Sequence, residues 1–264
     1  MVERERLDAA VATRFGVTRS QARGLILAGR VRVDGRPAGK AGALLGAGAQ
    51  VELETPPAYV SRGGDKLAAA LAAFGVAPAG LDVLDVGAST GGFTDAVLAF
   101  GAAHVTALDV GYGQFAWKLR TDPRVTVIER TNFRTLDDAA FPAGFDLIVI
   151  DASFISLRTI AERAAGYLRA DGSIVALVKP QFEAGRDRIG GGGVVRDPEV
   201  HRAILREVRD ALSRLGLVAI DAALSPLRGP AGNVEFFYHL RQAGVPIDDA
   251  RIDALVAAAH GREG

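Results

Sequence analysis

From Asp82 onward the chain alternates short apolar, β-branched runs with stretches of helical period, and this alternation restricts the fold more than any other feature. Strands are expected at "VLDVG" (83–87), "HVTALDV" (104–110), "VTVIER" (125–130), "DLIVID" (146–151), "SIVALV" (173–178), "LVAIDAAL" (217–224) and "VEFFYHL" (234–240). Helical stretches lie between most of them. The clearest is "DPEVHRAILREVRDALSRLG", with Pro198 early and Gly216 at its end. Such alternation buries both faces of a mostly parallel sheet, which predicts a doubly wound α/β domain. The last two strands have no room for a helix between them, so they are expected to pair antiparallel and give a mixed sheet edge.

The first strand runs into "DVGASTGGFTD", a tight turn at the start of a helix. In dinucleotide folds a G-x-G-x-x-G turn presses its backbone against a pyrophosphate. Here the aligned positions are Gly87, Ser89 and Gly92, so a side chain stands where the middle glycine belongs. Gly91 gives a G-x-x-x-G-G spacing, which favours a ligand without pyrophosphate, such as S-adenosylmethionine. Thr90 and Phe93 flank these glycines and join the candidate cofactor residues. Asp109 ends the second strand about 20 residues beyond the turn, where an acid takes ribose hydroxyls. Asp85 lies near the turn and can meet the ligand's amino group. Asn132 and Phe133 follow the third strand, where such folds border adenine; the plainer readings are a turn residue and core packing. An ordinary packing turn remains the plain alternative for the whole stretch.

Residues 1–57 read as a separate unit of two helices and a short sheet. "RLDAAVATRFG" sets Leu7, Val11 and Phe15 on one helical face. "TRSQARGLILAG" offers Thr18 or Ser20 as N-cap, and "RVRVDGRPA" contains an Asp-Gly turn. Residues 1–66 carry 11 Lys and Arg against 7 Asp and Glu, while the remainder carries 20 against 24. That asymmetry points to a polyanionic partner. Arg4, Arg6, Arg14, Arg19, Arg23, Arg30 and Arg36 are the candidate contacts to that partner, with Arg32 among them in the sequence; a solvated basic face is the bland alternative. Pro56-Pro57 and Gly63-Gly64 mark a linker over 58–64. A helix is expected to begin near Gly64, with Asp65 and Lys66 in its first turn, opening a second domain over 65–264.

The chain has no cysteine, which excludes disulfides, thiolate metal sites and the cysteine nucleophile that pyrimidine-carbon methylation requires. The four histidines form no metal-ligand cluster, so no metal is expected. No apolar run approaches the roughly 18–20 residues that span a bilayer, and "MVERERLDAA" lacks a signal-peptide core, so a cytoplasmic protein without membrane association is expected. After the fourth strand stands "DASF", where base-amine methyltransferases carry Asn/Asp-Pro-Pro-Tyr. Those absences leave an oxygen acceptor. A ribose 2′-hydroxyl is a poor nucleophile at neutral pH and needs its proton removed or its developing charge stabilised. A lysine in an apolar site beside a second ammonium can do this. Lys66 opens the linker helix, Asp151 ends the fourth strand, Lys179 ends the fifth, and Glu235 is expected within the last strand. Taken singly, each has an ordinary salt-bridge, turn or surface reading.

The order Lys66, Asp151, Lys179, Glu235 resembles the K-D-K-E tetrad of FtsJ-type ribose 2′-O-methyltransferases. "RLDAAVATRFGVTRSQARGLILAGRVRVDG" resembles the alpha-L RNA-binding module of a ribosomal protein and of pseudouridine synthases. Together with "YVSRGGDKL", "DVGASTGGFTD", "DASFIS", "LVKPQFE" and "GNVEFF", the chain is similar to the TlyA family, haemolysin-named proteins that methylate rRNA. The resemblance implies a Rossmann-like class I methyltransferase with a mixed seven-stranded sheet, S-adenosylmethionine as cofactor, and ribosomal RNA or ribosomal subunits as partner. It implies catalysis by the tetrad, with Lys179 as base or alkoxide stabiliser. The chain departs from the family at "PAYV", where the linker often carries Arg-x-Trp-Val. The loop "RIGGGGVVRD" (188–197) reads as a cover for RNA or cofactor, or as a plain connector. A non-catalytic RNA-binding factor, a nicotinamide oxidoreductase and a cytolysin are the competing functions.

Overall fold

A computed structural model describes residues 5–54, 57–137, 139–185 and 188–261. It divides into two compact units, Met1–Pro57 and Ala58–Gly264.

In the first unit α1 (Leu7–Phe15) and α2 (Arg19–Leu27) precede three short strands, β1 (Val31–Val33), β2 (Arg36–Pro37) and β3 (Val51–Leu53). The strands form an antiparallel sheet in the order β2-β1-β3. Thr18 is the N-cap of α2, in a reciprocal capping box with Gln21. Asp34 and Gly35 both have positive φ, 50° and 73°, as a two-residue hairpin turn requires. Leu7, Val11, Ala22, Ile26 and Val31 are buried together; Phe15 packs on this core only partly buried.

The second unit runs α3 (Arg62–Phe74), β4 (Asp82–Val86), α4 (Gly92–Ala99), β5 (His104–Leu108), α5 (Trp117–Arg120), β6 (Val125–Ile128), β7 (Phe145–Ile150), α6 (Leu157–Ala165), β8 (Leu168–Val178), α7 (Pro180–Glu183), α8 (Pro198–Arg214), β9 (Val218–Leu224), β10 (Phe236–Arg241) and α9 (Asp249–His260). Its seven strands are ordered β6-β5-β4-β7-β8-β10-β9. Strands β4 to β8 are parallel, and β10 inserts antiparallel between β8 and β9. The sheet is therefore the mixed α/β architecture of class I methyltransferases. Strand order reverses between β4 and β7, and a crevice opens there at the carboxyl ends of the strands. One core lies on each face: Leu84, Ile148, Ile174 and Phe236 point to the side covered by α6, α8 and α9, and Val83, Leu147, Val175 and Phe237 to the side of α3 and α4.

Several boundaries differ from expectation. Helix α3 starts at Arg62 after the N-cap Ser61, so Lys66 falls just beyond its first turn, and residues 58–64 group with the second unit. Strand β8 begins at Leu168, not Ser173, because the β7–β8 register shifts between Phe145 and Leu147 and keeps Asp171-Gly172 within the strand. Asp109, Asp151 and Lys179 each follow their strand by one residue, and Glu235 precedes β10 instead of lying inside it.

Candidate active site

The turn from β4 to α4 is built by close approach. Gly87 has φ 84°, and a Cβ there would lie 2.7 Å from the carbonyl oxygen of Asp151. The end of β7 thus presses on the turn, where the Asp151 N–H donates to Val86. A Cβ on Gly92 would collide with Ser61 Oγ and stand 2.9 Å from the Gly64 nitrogen, so a bare backbone lets α3 seat against the first turn of α4. These glycines serve contacts between elements of the protein at least as much as ligand approach.

Two cavities of about 380 Å³ each adjoin across the turn and share Gly87, Ser89 and Asp151. The first is bordered by Asp109, Asn132 and Phe133, with Val86, Leu108 and Ile160 as apolar walls. Asp109 accepts the N–H of Ser89 at 2.7 Å and of Gly111 at 2.6 Å, one on each carboxylate oxygen. Oδ1 also accepts Gln114 Nε2 at 3.4 Å, while Oδ2 keeps lone-pair capacity for a further donor, which suits a ribose hydroxyl. The second cavity is bordered by Lys66, Thr90, Gly92, Phe93, Asp151 and Pro230, among others.

The four tetrad residues gather at this turn as two ion pairs. Lys66 Nζ meets Glu235 Oε2 at 2.5 Å, with side chains 9% and 1% exposed. Lys179 Nζ meets Asp151 Oδ1 at 2.5 Å, with side chains 10% and 23% exposed, and donates to Ser153 Oγ at 2.7 Å. The β8–β10 register sets Phe236 opposite Val178, so Glu235 and Lys179 leave neighbouring strands at the same level. Their side chains nevertheless pair elsewhere. Glu235 turns to α3, and Gly229 makes room for it, since a Cβ there would lie 2.6 Å from Glu235 Oε1. Two buried cations, each matched by one carboxylate, satisfy the condition for keeping charge out of water.

The FtsJ-like methyltransferase family matches residues 59–242, and the S4 domain matches residues 5–51. The chain is 50% identical over 245 residues to "16S/23S rRNA (cytidine-2'-O)-methyltransferase TlyA" of Mycobacterium tuberculosis, covering 91% of each chain. The chain belongs to the TlyA family of FtsJ-like methyltransferases. Hemolysin A of Brachyspira hyodysenteriae is 38% identical over 236 residues, which cover 89% of this chain and 98% of that one. A haemolysin-named structure from Streptococcus thermophilus superposes with a TM-score of 0.75 at 40% identity, over 99% of this chain and 97% of that one. Among the described residues, no helix is long and apolar enough to cross a membrane.

Within this TlyA-family site the remaining sequence candidates fall into different places. Asp85 lines neither cavity. It is fully buried, accepts the Thr94 hydroxyl at 2.6 Å, and leaves Oδ1 without a partner among the described residues. Burial, followed by the charges of Asp151 and Asp109, pushes its pKa up to about 7 against the opposing Thr94 hydrogen bond. Its contact is with helix α4, because an inward position on a central strand faces the core. Gly91 also lines neither cavity; a Cβ on it would meet Leu119 and Phe115 instead. Phe133 has both of its readings, bordering the first cavity while its ring packs 5.9 Å from Tyr167. Asn132 caps the short turn 133–135 by accepting the Arg134 N–H, and it borders the same cavity. Phe93 stacks on Phe237 in the core at 6.2 Å and borders the second cavity.

Sequence reasoning missed three residues. Ser153 holds Lys179. Phe154 is 90% exposed, borders the first cavity in a left-handed conformation (φ 64°), and lies 5.1 Å from the Phe182 ring. Asn233 accepts the Val195 N–H and donates to the Gly193 carbonyl, tying the glycine loop to the segment that carries Glu235. Within "DASF" and "GNVEFF" the available signal was position beside a tetrad member. In the first unit Arg6, Arg19 and Arg23 gather on Asp8, Arg14 donates to Ala49, and Arg30 donates to the Glu54 carbonyl. Arg36 is exposed on β2, and Arg4 lies outside the described residues.

Proposed function

We propose that this chain is an S-adenosylmethionine-dependent methyltransferase that acts on the 2′-hydroxyl of a cytidine ribose in ribosomal RNA. The observation that carries the reading is the pair of buried ammonium–carboxylate contacts, Lys66–Glu235 and Lys179–Asp151, beside one glycine turn. The M. tuberculosis relative carries the cytidine-2′-O activity in its name. The first cavity fits the adenosine part of the cofactor: Asp109 Oδ2 keeps acceptor capacity for a ribose hydroxyl, and Phe133 with Ile160 supplies an apolar wall for a base. When bound, the cofactor supplies an electrophilic methyl group on a sulfonium.

The residues of this chain do the rest. Lys179 donates one N–H to Ser153 and is ion-paired with Asp151 Oδ1 at 2.5 Å, which leaves donor capacity for an oxygen in the site. As the ribose 2′-oxygen is methylated it would lose its proton to the Asp151 carboxylate, while Lys179 stays an ammonium. The Lys179 ammonium stabilises the negative charge that develops on the oxygen. Lys66, held by Glu235, positions the ribose from the second cavity, and this positioning supplies much of the acceleration. The exposed Phe154, with Phe182 behind it, offers an aromatic face for a base unstacked from its strand. The S4 domain supplies salt-dependent RNA affinity.

Lys179→Ala should abolish methyl transfer to ribosomal subunits while cofactor affinity, measured by calorimetric titration, stays within about threefold of the parent, since Lys179 does not border the first cavity and meets its walls through Asp151 and Ser153. Retained turnover removes Lys179 from the mechanism.

A further inference from the structure

The arginines of the first unit are not equivalent. Arg14 and Arg30 donate to backbone carbonyls, and Arg32 pairs with the Glu54 carboxylate. Arg6, Arg19 and Arg23 converge on a single acid, Asp8, whose side chain is fully buried in the first turn of α1. Asp8 Oδ1 accepts from Arg6 Nε and from Arg19 Nη2, each at 3.1 Å. Oδ2 accepts from Arg6 Nη2 at 3.0 Å and from Arg23 Nε at 3.1 Å. The guanidiniums arrive from separate places: the N-cap of α1, the first residue of α2, and one turn further along α2. Gly42 completes the arrangement, because a Cβ there would lie 3.1 Å from Arg6 Nη2.

The charges within the cluster do not balance. One carboxylate faces three guanidiniums that stay protonated at any working pH, so a net positive charge is concentrated in a small volume. The carboxylate is held well below its usual range, first by the Arg6 hydrogen bond and then by Arg23 and Arg19 against the cost of burial. The side chains of Arg6, Arg19 and Arg23 are each about half exposed, and most of their N–H groups are not spent on Asp8. Three planar donors with free edges, held on a buried anchor, match phosphate oxygens with little rotamer freedom left to lose.

We propose that Asp8 is a positioning residue that assembles Arg6, Arg19 and Arg23 into a preformed clamp for backbone phosphates of RNA. The proposal rests on the reading of the first unit as the RNA-binding part of the chain. It makes a prediction opposite to that of net charge alone. Removing an acid makes the unit more basic, which by itself tightens RNA binding. Losing the anchor frees three arginines, which weakens it.

The test uses the full chain and protein-free ribosomal RNA as probe, titrated over a series of KCl concentrations. Asp8→Asn should bind about fivefold more weakly or worse at fixed salt. Arg6→Gln, Arg19→Gln and Arg23→Gln should each weaken binding and reduce the log–log salt slope by up to about 1. In the Asp8→Asn background those arginine effects should shrink. Amide NMR spectra of the first unit's resonances report whether it stays folded. If Asp8→Asn unfolds it, the Arg19→Lys/Arg23→Lys variant decides, since it keeps every charge but loses the Nε and Nη geometry; it should also bind several-fold more weakly. Parent-level or tighter binding by folded Asp8→Asn, or parent-level binding by the double lysine variant, overturns the clamp. If all three arginines can become glutamine with no change in RNA binding, the RNA-binding reading of the unit itself fails, a separate result.

Discussion

Replacing Glu235 with alanine should strand the Lys66 ammonium in the protein interior. The pair spans 169 residues of sequence, from helix α3 to the entrance of β10, and both side chains are almost fully removed from solvent. No other hydrogen bond to Lys66 Nζ is formed among the described residues, so the alanine variant leaves a buried cation without a counter-charge. Breaking one side of such a pair costs about 3–5 kcal/mol, whereas replacing both partners by apolar residues of similar volume is often close to neutral. For a unit of this size each kcal/mol moves the midpoint by roughly 2–4 °C, so Glu235→Ala should melt about 6–20 °C below the parent. The Lys66→Met/Glu235→Leu double variant should regain most of that loss and remain inactive. Parallel calorimetric melting and methyl-transfer assays on the single and double variants measure the coupling. A single variant melting within 2 °C of the parent (about 1 kcal/mol or less) would refute the reasoning, because it would mean that solvent or another group already satisfies Lys66.

Three further outcomes are expected. Gly87→Ala, which combines a φ of 84° with a Cβ 2.7 Å from the Asp151 carbonyl, should lose roughly 1–3 kcal/mol in urea unfolding and most of its turnover, since Asp151 must move; unchanged turnover would separate Asp151 from the reaction. Phe154→Gly should leave stability within about 1 kcal/mol of the parent, as relief of the left-handed strain offsets the lost ring contact, while methylation falls at least about tenfold; a strongly destabilised variant would show that Phe154 is a packing residue. Asp85 has a native pKa near 7, above its unfolded value, so the folded state holds the extra proton between about pH 4 and pH 7 and stability declines as pH rises through that window. Asp85→Asn should flatten the decline and be more stable than the parent at pH 8 in thermal melts; an unaltered slope would assign the pH dependence to other groups.

The strand count, the parallel core and the antiparallel edge were legible because local period and loop length carry them. The eleven residues between Leu224 and Phe236 are fewer than the dozen or so a parallel crossover needs, which favours an antiparallel pair. The tetrad was legible for a related reason: Asp151 and Lys179 follow strands directly, and strand ends open on the ligand crevice. The partners within the tetrad were not legible. Glu235 and Lys179 stand at one level of the sheet, yet Glu235 joins Lys66 because α3 packs over α4 and Gly229 leaves space for the carboxylate. Asp85 shows the same limit from the other side, since a motif position suggested a ligand contact and burial turned it to Thr94. In the first unit the sequence established a surplus of arginine, whereas only the folded chain could choose which three would share Asp8. Period and composition act over a few residues and survive in any context. Which charge meets which depends on contacts between segments far apart in the chain, and those exist only after the elements have packed.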